Sequence, residues 1–270
     1  MSTELLHEEE IEYTEEDTVD ISNVFALHGL DAGCCRKLLG KVVLVSFLVD
    51  DAESKWTDDA EAKFVEVMKD AEEKIMEQSG KSKSELMIVH ARCRLSVPYV
   101  VTRKNHDSCI KDVLRRFGYR TVSEYQAHYE EKFARNEAPI FFVFNKPFRS
   151  YASRVAVRAS ERSDAALEGS EWAFLSYKPE HENTQTLIHE LMHQFGAIDY
   201  YYPEQVKALA NAYFPESIMD SGGVIDPLTR YIIGWDEELA PEATAFLRDV
   251  SSVSEEEVLI ALKKEWEKEF

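Results

Sequence analysis

No run of about eighteen consecutive apolar residues occurs in this 270-residue chain, which excludes a membrane-spanning helix. Glycine (10) and proline (8) are sparse, and no Gly/Ser linker, internal repeat or low-complexity tract interrupts the sequence. One domain with short extensions is therefore expected, not several units on flexible tethers. Cysteine is limited to Cys34, Cys35, Cys93 and Cys109. None forms a CxxC pair, which argues against a zinc ribbon, and adjacent Cys34 and Cys35 cannot readily bond to each other, so all four read as reduced thiols. Positive charge is also short: 31 Lys and Arg stand against 51 Asp and Glu, a net −20. The excess lies at the ends. Residues 1–20 hold nine acids and no Lys or Arg, and Asp236 to Phe270 hold eleven acids and four bases, leaving a middle near −4. This balance speaks against a nucleic-acid partner, and the acidic ends read as solvated surface. The amino terminus lacks a basic n-region and an apolar h-region, so no signal peptide is visible; a cytoplasmic location is favoured, with leaderless export as the other route.

What is present is a core. Apolar residues make up 44% of the chain and aromatics 11%, enough at this length for a full hydrophobic interior. Val42 to Val49 is a continuous apolar, β-branched run that fits a strand buried on both faces. Thr57 can cap a helix running to about Gln78, with Phe64, Val65, Met68, Ala71, Ile75 and Met76 at helical spacing and Gly80 ending it. Leu86 to Val101 reads as a second strand interrupted at Pro98, so strand, helix, strand predict a parallel crossover. Two short helices are expected over 107–135, the first marked by Ile110, Val113, Leu114 and Phe117. The second would be opened by a capping box of Ser123 and Gln126. Pro139 to Asn145 is a further strand, 148–170 a long loop, and Trp172 to Tyr177 a short strand. Helices are expected over Pro203 to Phe214 and from Asp226 to Trp235. A terminal helix would follow Ser254, with a stripe of Val258, Leu259, Leu262 and Trp266.

The most informative run is residues 189–199, His-Glu-Leu-Met-His-Gln-Phe-Gly-Ala-Ile-Asp. His189 and His193 are four apart and share one helical face, so two imidazoles can chelate one ion. Glu190 beside them can act as general base toward a water at the metal. Gly196 lets the chain leave the helix through a left-handed conformation, and the turn would return Asp199 as a third, oxygen ligand, with the fourth position left to water. Glu204, Glu216 and Asp226 are the competing downstream carboxylates. The apolar positions Leu187, Ile188, Leu191, Met192 and Phe195 fall on other faces and leave the histidines free to point into a cleft.

Together with Glu-Ser-Ile-Met-Asp-Ser-Gly-Gly at 216–223, this run resembles the metzincin clan of zinc endopeptidases, in the HExxHxxGxxD variant with a Met-turn. Most of that clan has a third histidine where this chain has Asp199; the snapalysin-like bacterial enzymes are similar to this sequence in having aspartate. The resemblance covers roughly residues 40–235 and is specific only in the two motifs. It implies an α+β or α/β fold, metzincin-like, with a twisted, mixed, mostly parallel sheet and an antiparallel edge strand. A long crossover helix, an active-site helix and C-terminal helices complete it. The implied organisation is an acidic extension over 1–39, a catalytic domain over 40–235, and a helical extension over 236–270 packed on the same domain. It further implies one catalytic Zn²⁺ on His189, His193 and Asp199, Glu190 as catalytic base and Met219 as the Met-turn residue. Trp172, Ala173, Phe174 and Leu175 would be an edge strand that pairs with extended substrate. Ser221 stands where some of the clan has a tyrosine; Tyr200, Tyr201 and Tyr202 are the nearby phenols, for which packing is the plainer role. The expected activity is peptide-bond hydrolysis by a monomer acting on a peptide or protein substrate. The alternative is an inactive zinc-binding module that holds peptides in the same cleft.

Overall fold

The computed structural model describes residues 35, 37–80, 86–133, 137–153, 172–179, 183–201, 203–250 and 253. The acidic stretch over 1–20 and the helix expected after Ser254 lie outside these residues. The architecture is mixed α/β, with a five-stranded, mostly parallel sheet and seven helices among the described residues. Strand β1 (Lys41–Asp50) is buried along all but its first residue, as its uninterrupted apolar run requires. It is flanked by β2 (Met87–Ser96) and β3 (Ile140–Phe144), both parallel to it, pairing Val43 with Val89 and Phe47 with Phe142. Beyond β3 come β5 (Trp172–Ser176), parallel, and then β4 (Tyr151–Ser153), antiparallel, giving the order β2-β1-β3-β5-β4.

Alternation along β1 divides the interior into two cores. Val42, Leu44 and Leu48 face a core shared with α1 (Asp58–Gln78); Val43, Val45, Phe47 and Val49 face one shared with α2 (His106–Arg116) and α3 (Val122–Phe133). The crossover helix α1 begins where the Thr57 hydroxyl accepts the Ala60 amide (3.1 Å), and it buries Phe64, Met68, Ala71 and Ile75 against the sheet. Buried Phe64, Met68 and Ile75 each contribute roughly 1.5–3 kcal/mol. Helix α4 (Asn183–Gln194) packs beside α1 on the same face, against β5 and β4. Helices α5 (Glu204–Tyr213), α6 (Pro227–Ile232) and α7 (Pro241–Val250) extend that core through Val206, Ala210, Leu228, Ala243, Phe246 and Val250. No helix among the described residues is long and apolar enough to cross a membrane.

Several expectations need correction. Trp172 to Leu175 do not form the edge. Ala173 and Phe174 are paired on both sides, Trp172 pairs with Ser153 and Leu175 with Val143, and all four residues are buried. The antiparallel edge is β4, within the stretch expected to be loop. Strand β2 ends at Ser96 instead of reaching Val101: the Val97 amide continues the ladder to the Asp50 carbonyl (2.8 Å), and Pro98, with no amide to donate, follows it. Helix α3 is capped two residues earlier than expected: the Thr121 hydroxyl accepts the Glu124 amide (3.0 Å), and the Glu124 carboxylate accepts the Arg120 amide (2.8 Å). Helix α7, with Pro241 in its first turn, lies within the 236–270 stretch implied to be helical, ahead of the helix expected after Ser254.

Candidate metal centre

Three backbone features bring the motif residues together. Helix α4 puts His189 and His193 on one face, with ring centroids 4.6 Å apart. The helix is held at both ends. At its start, the Asn183 side chain bonds both the amide and the carbonyl of Lys178 (3.0 and 2.6 Å); at its end, buried Gln194 accepts the first amide of β3, that of Ile140 (2.8 Å). Gly196 then takes φ +93°, a left-handed conformation that costs other residues dearly. The chain reverses there through the Gly196 amide to the His193 carbonyl (2.9 Å) and the Ala197 amide to the Met192 carbonyl (3.0 Å).

Asp199 returns as the spacing requires. Its Oδ1 lies 3.1 Å from His189 Nε2 and 3.0 Å from His193 Nε2, and the two Nε2 atoms are 3.1 Å apart. The other ring nitrogens settle the chemistry of this triangle. His189 Nδ1 is 2.7 Å from the Ile218 carbonyl and His193 Nδ1 is 2.8 Å from the Ala197 carbonyl. A carbonyl can only accept, so each Nδ1 carries a proton, and each ring in its neutral form turns an Nε2 lone pair toward the centre. The Asp199 Oδ1, buried, has no hydrogen-bond donor. Three potential ligand atoms thus converge within 3.1 Å, an arrangement that a metal ion, or a proton shared between His189 Nε2 and Asp199, can satisfy. Glu190 is buried (4% exposed), its Oε2 has no partner, and His189, Glu190 and His193 each offer a ligand atom within 4.8 Å of the others. This cluster can hold a metal ion.

The electrostatics follow the same geometry. Burial disfavours a charged His189, but the adjacent Asp199 carboxylate outweighs it and raises the ring to about 9. Burial would also lift Asp199, yet the two imidazoles hold it well below the usual carboxylate range. Glu190 is pushed up, chiefly by burial, with His189 and His193 opposing.

The other downstream carboxylates are elsewhere. Glu204 and Glu216 are exposed. Asp226 is buried and accepts five hydrogen bonds: from Ser217 Oγ (2.6 Å), Thr229 Oγ1 (2.7 Å), the Leu228 and Thr229 amides (both 3.0 Å) and the Tyr200 hydroxyl (3.2 Å). It caps α6 and fastens the 216–224 turn. That turn carries fully buried Met219, whose carbonyl accepts the Tyr200 amide (2.9 Å) and whose amide donates to Ser217 Oγ (3.0 Å). Gly222 is required there, because a Cβ would collide with the Glu216 carbonyl. Gln78, the last residue of α1, clasps the turn from outside by donating to the Gly223 carbonyl (3.0 Å) and accepting the Ile225 amide (2.7 Å). Of the three tyrosines, Tyr200 is core, Tyr201 stacks beside His189 with ring centroids 6.2 Å apart, and Tyr202 lies outside the described residues.

His189 and Glu190 open onto a cleft of about 520 Å³ whose wall includes Arg149, Lys178, Tyr201, Lys207 and Asp220. The contributions of Gln78, Asp226, Arg149, Lys178 and Lys207 to the site were not anticipated. Only the capping pattern Asp226-Pro227 carried a local signal. Comparison of the chain with protein-family models, with curated proteins and with solved structures returned no match.

Proposed function

We propose that the chain is a zinc-dependent endopeptidase of metzincin-like design, with His189, His193 and Asp199 as ligands and Glu190 as general base. The observation that carries the reading is the convergence of two imidazole lone pairs and an unpartnered carboxylate oxygen at 3.0–3.1 Å, beside a buried glutamate. Nitrogen and oxygen ligands at about 2.0–2.2 Å around a tetrahedral zinc ion stand about 3.3–3.5 Å apart, so this triangle needs only a slight expansion to accept it. The donor set, imidazole nitrogen and carboxylate oxygen, suits zinc.

Zinc held there supplies Lewis-acid polarisation of a water and of the scissile carbonyl. The protein's own groups do the rest. Glu190 takes the proton of the attacking water and delivers it to the leaving amine nitrogen. The Ile218 and Ala197 carbonyls keep both rings in the ligating tautomer and hold their orientation. Met219 gives the site an apolar floor. The outer edge of β4, the end of the sheet among the described residues and adjoining the cleft at Ser150, is the better candidate for pairing with an extended peptide, since β5 is already paired. Support also comes from the antiparallel edge strand on a mostly parallel sheet and from the crossover helix.

The test is a metal analysis joined to a peptide-library cleavage assay. The protein is expected to hold one zinc per chain and to cleave. Glu190→Gln is expected to keep the zinc and lose at least about 100-fold in turnover. Cleavage by Glu190→Gln at the wild-type rate would overturn the assignment of the base. Absence of bound zinc would overturn the reading as a whole.

A further inference from the structure

We propose that the cleft selects peptides with acidic side chains next to the bond to be cut, and that Arg149, Lys178 and Lys207 are the specificity-determining cations. This rests on the peptidase reading and deepens it. In a chain where acids outnumber bases 51 to 31, the cleft wall outside the metal cluster reverses the ratio, setting three cations against Asp220. They come from three separate elements: the run into β4, the exit of β5, and α5. Elsewhere in this acidic protein cations commonly meet carboxylates, as in Lys63–Asp59, Arg92–Glu61, Arg120–Glu124 and Arg230–Asp236. Lys178 and Lys207 have no such carboxylate among the described residues, although both are half-buried against the cleft. Arg149 lies over the Tyr201 ring (5.3 Å), which itself stacks beside His189, so its charge stands close to the reacting groups. A concave wall of low dielectric concentrates the field of these charges on whatever enters, while the negative remainder of the surface repels acidic chains from other places. A glutamate or aspartate in the substrate gives these cations a carboxylate partner within the cleft. A basic substrate would meet repulsion.

The zinc-loaded protein is compared on two alanine-rich peptides that differ only in carrying glutamates or glutamines around the cleavage site. The glutamate peptide is expected to be cut about tenfold faster in kcat/KM at low ionic strength, with the ratio shrinking toward one in high salt. The double variant Lys178→Glu/Lys207→Glu, and separately Arg149→Glu, are expected to bring that ratio below one. Equal cleavage of the two peptides by the wild type, or a ratio that these variants leave unchanged, overturns the proposal and leaves the peptidase reading standing. If zinc is bound and neither peptide is cut, the peptidase reading fails. The proposal is then decided by calorimetric binding of the same peptides to zinc-loaded Glu190→Gln: tighter binding of the glutamate peptide sustains it, and equal binding overturns it.

Discussion

Asp226 offers the sharpest test of how this site is held together, because it never touches the metal cluster. Its carboxylate is buried and collects five donors, three of them hydroxyls. Asp226→Ala removes the cap of α6, worth about 1 kcal/mol, and leaves the Ser217 and Thr229 hydroxyls unpaired in the core at about 1–3 kcal/mol each. A loss of about 3–7 kcal/mol is expected, a large share of the roughly 5–15 kcal/mol that holds a domain folded. That corresponds to a melting temperature lower by about 10 °C or more. Asp226→Asn should cost less, about 1–2 kcal/mol. Its oxygen can keep the two α6 amides and the Tyr200 hydroxyl, while its NH₂ forces the Ser217 and Thr229 hydroxyls to accept instead of donate. The consequence reaches the metal centre through one short path. Ser217 Oγ donates to Asp226 and accepts the Met219 amide, and the residue between them, Ile218, presents the carbonyl that orients His189. Loosening this turn misaims the ring, so zinc affinity should fall by about 10–100-fold in either variant. Thermal melting of the metal-free proteins gives the first quantity and competition with a chromophoric chelator the second. An Asp226→Ala protein that melts within about 3 °C of wild type and holds zinc equally well would refute the reasoning.

Zinc at a hundred times its dissociation constant should stabilise the wild type by about 2.7 kcal/mol in a thermal melt, and His193→Ala should abolish that shift. Gly196→Ala has room for its methyl, the nearest atom being Ile232 Cγ2 at 3.4 Å, so its cost is the left-handed φ alone: about 1–2 kcal/mol in urea unfolding, with weaker zinc binding as Asp199 is displaced. Asp51 is fully buried, which by itself would raise its carboxyl. Bonds from Lys146 Nζ (2.5 Å), the Val101 amide (2.9 Å) and Ser54 prevail and lower it to about 2. A depressed folded value stabilises above the ordinary carboxyl range and is lost as the pH falls. Stability should therefore decline by about 2 kcal/mol between pH values of about 4 and 2, and Asp51→Asn should flatten that part of an acid titration followed by circular dichroism.

What could be read from the chain is what is encoded within one element. The apolar run of β1, the spacing and Thr57 cap of α1, and the convergence of His189, His193 and Asp199 depend on neighbours a few residues away, where periodicity and turn chemistry act directly. Whether a strand is interior or edge depends on which segment pairs with it. Trp172 to Leu175 became interior because three residues from a polar stretch, Tyr151 to Ser153, close over them, and nothing in either segment announces that pairing. Gln78 illustrates the same limit. As the last residue of a long helix it looks like ordinary surface, yet 145 residues of chain separate it from the Gly223 carbonyl it holds.

The division between local and distant determinants has a mechanical consequence. Both histidines and Asp199 come from one eleven-residue segment, so their approach to one another is set mainly by α4 and by the reversal at Gly196. The aim of the rings is set differently. His193 is oriented from within the segment by the Ala197 carbonyl, whereas His189 depends on Ile218, on a turn fastened by Asp226 and by α1 through Gln78. Damage to the distant turn should therefore fall on His189 first and leave His193 and Asp199 as a two-ligand remnant. Zinc binding should then weaken well before the fold is lost, since the sheet and the core around α2 and α3 do not pass through that turn. The proposed metal centre is in this sense less robust than the scaffold beneath it, and a zinc-loaded protein is expected to lose its metal at temperatures below global unfolding.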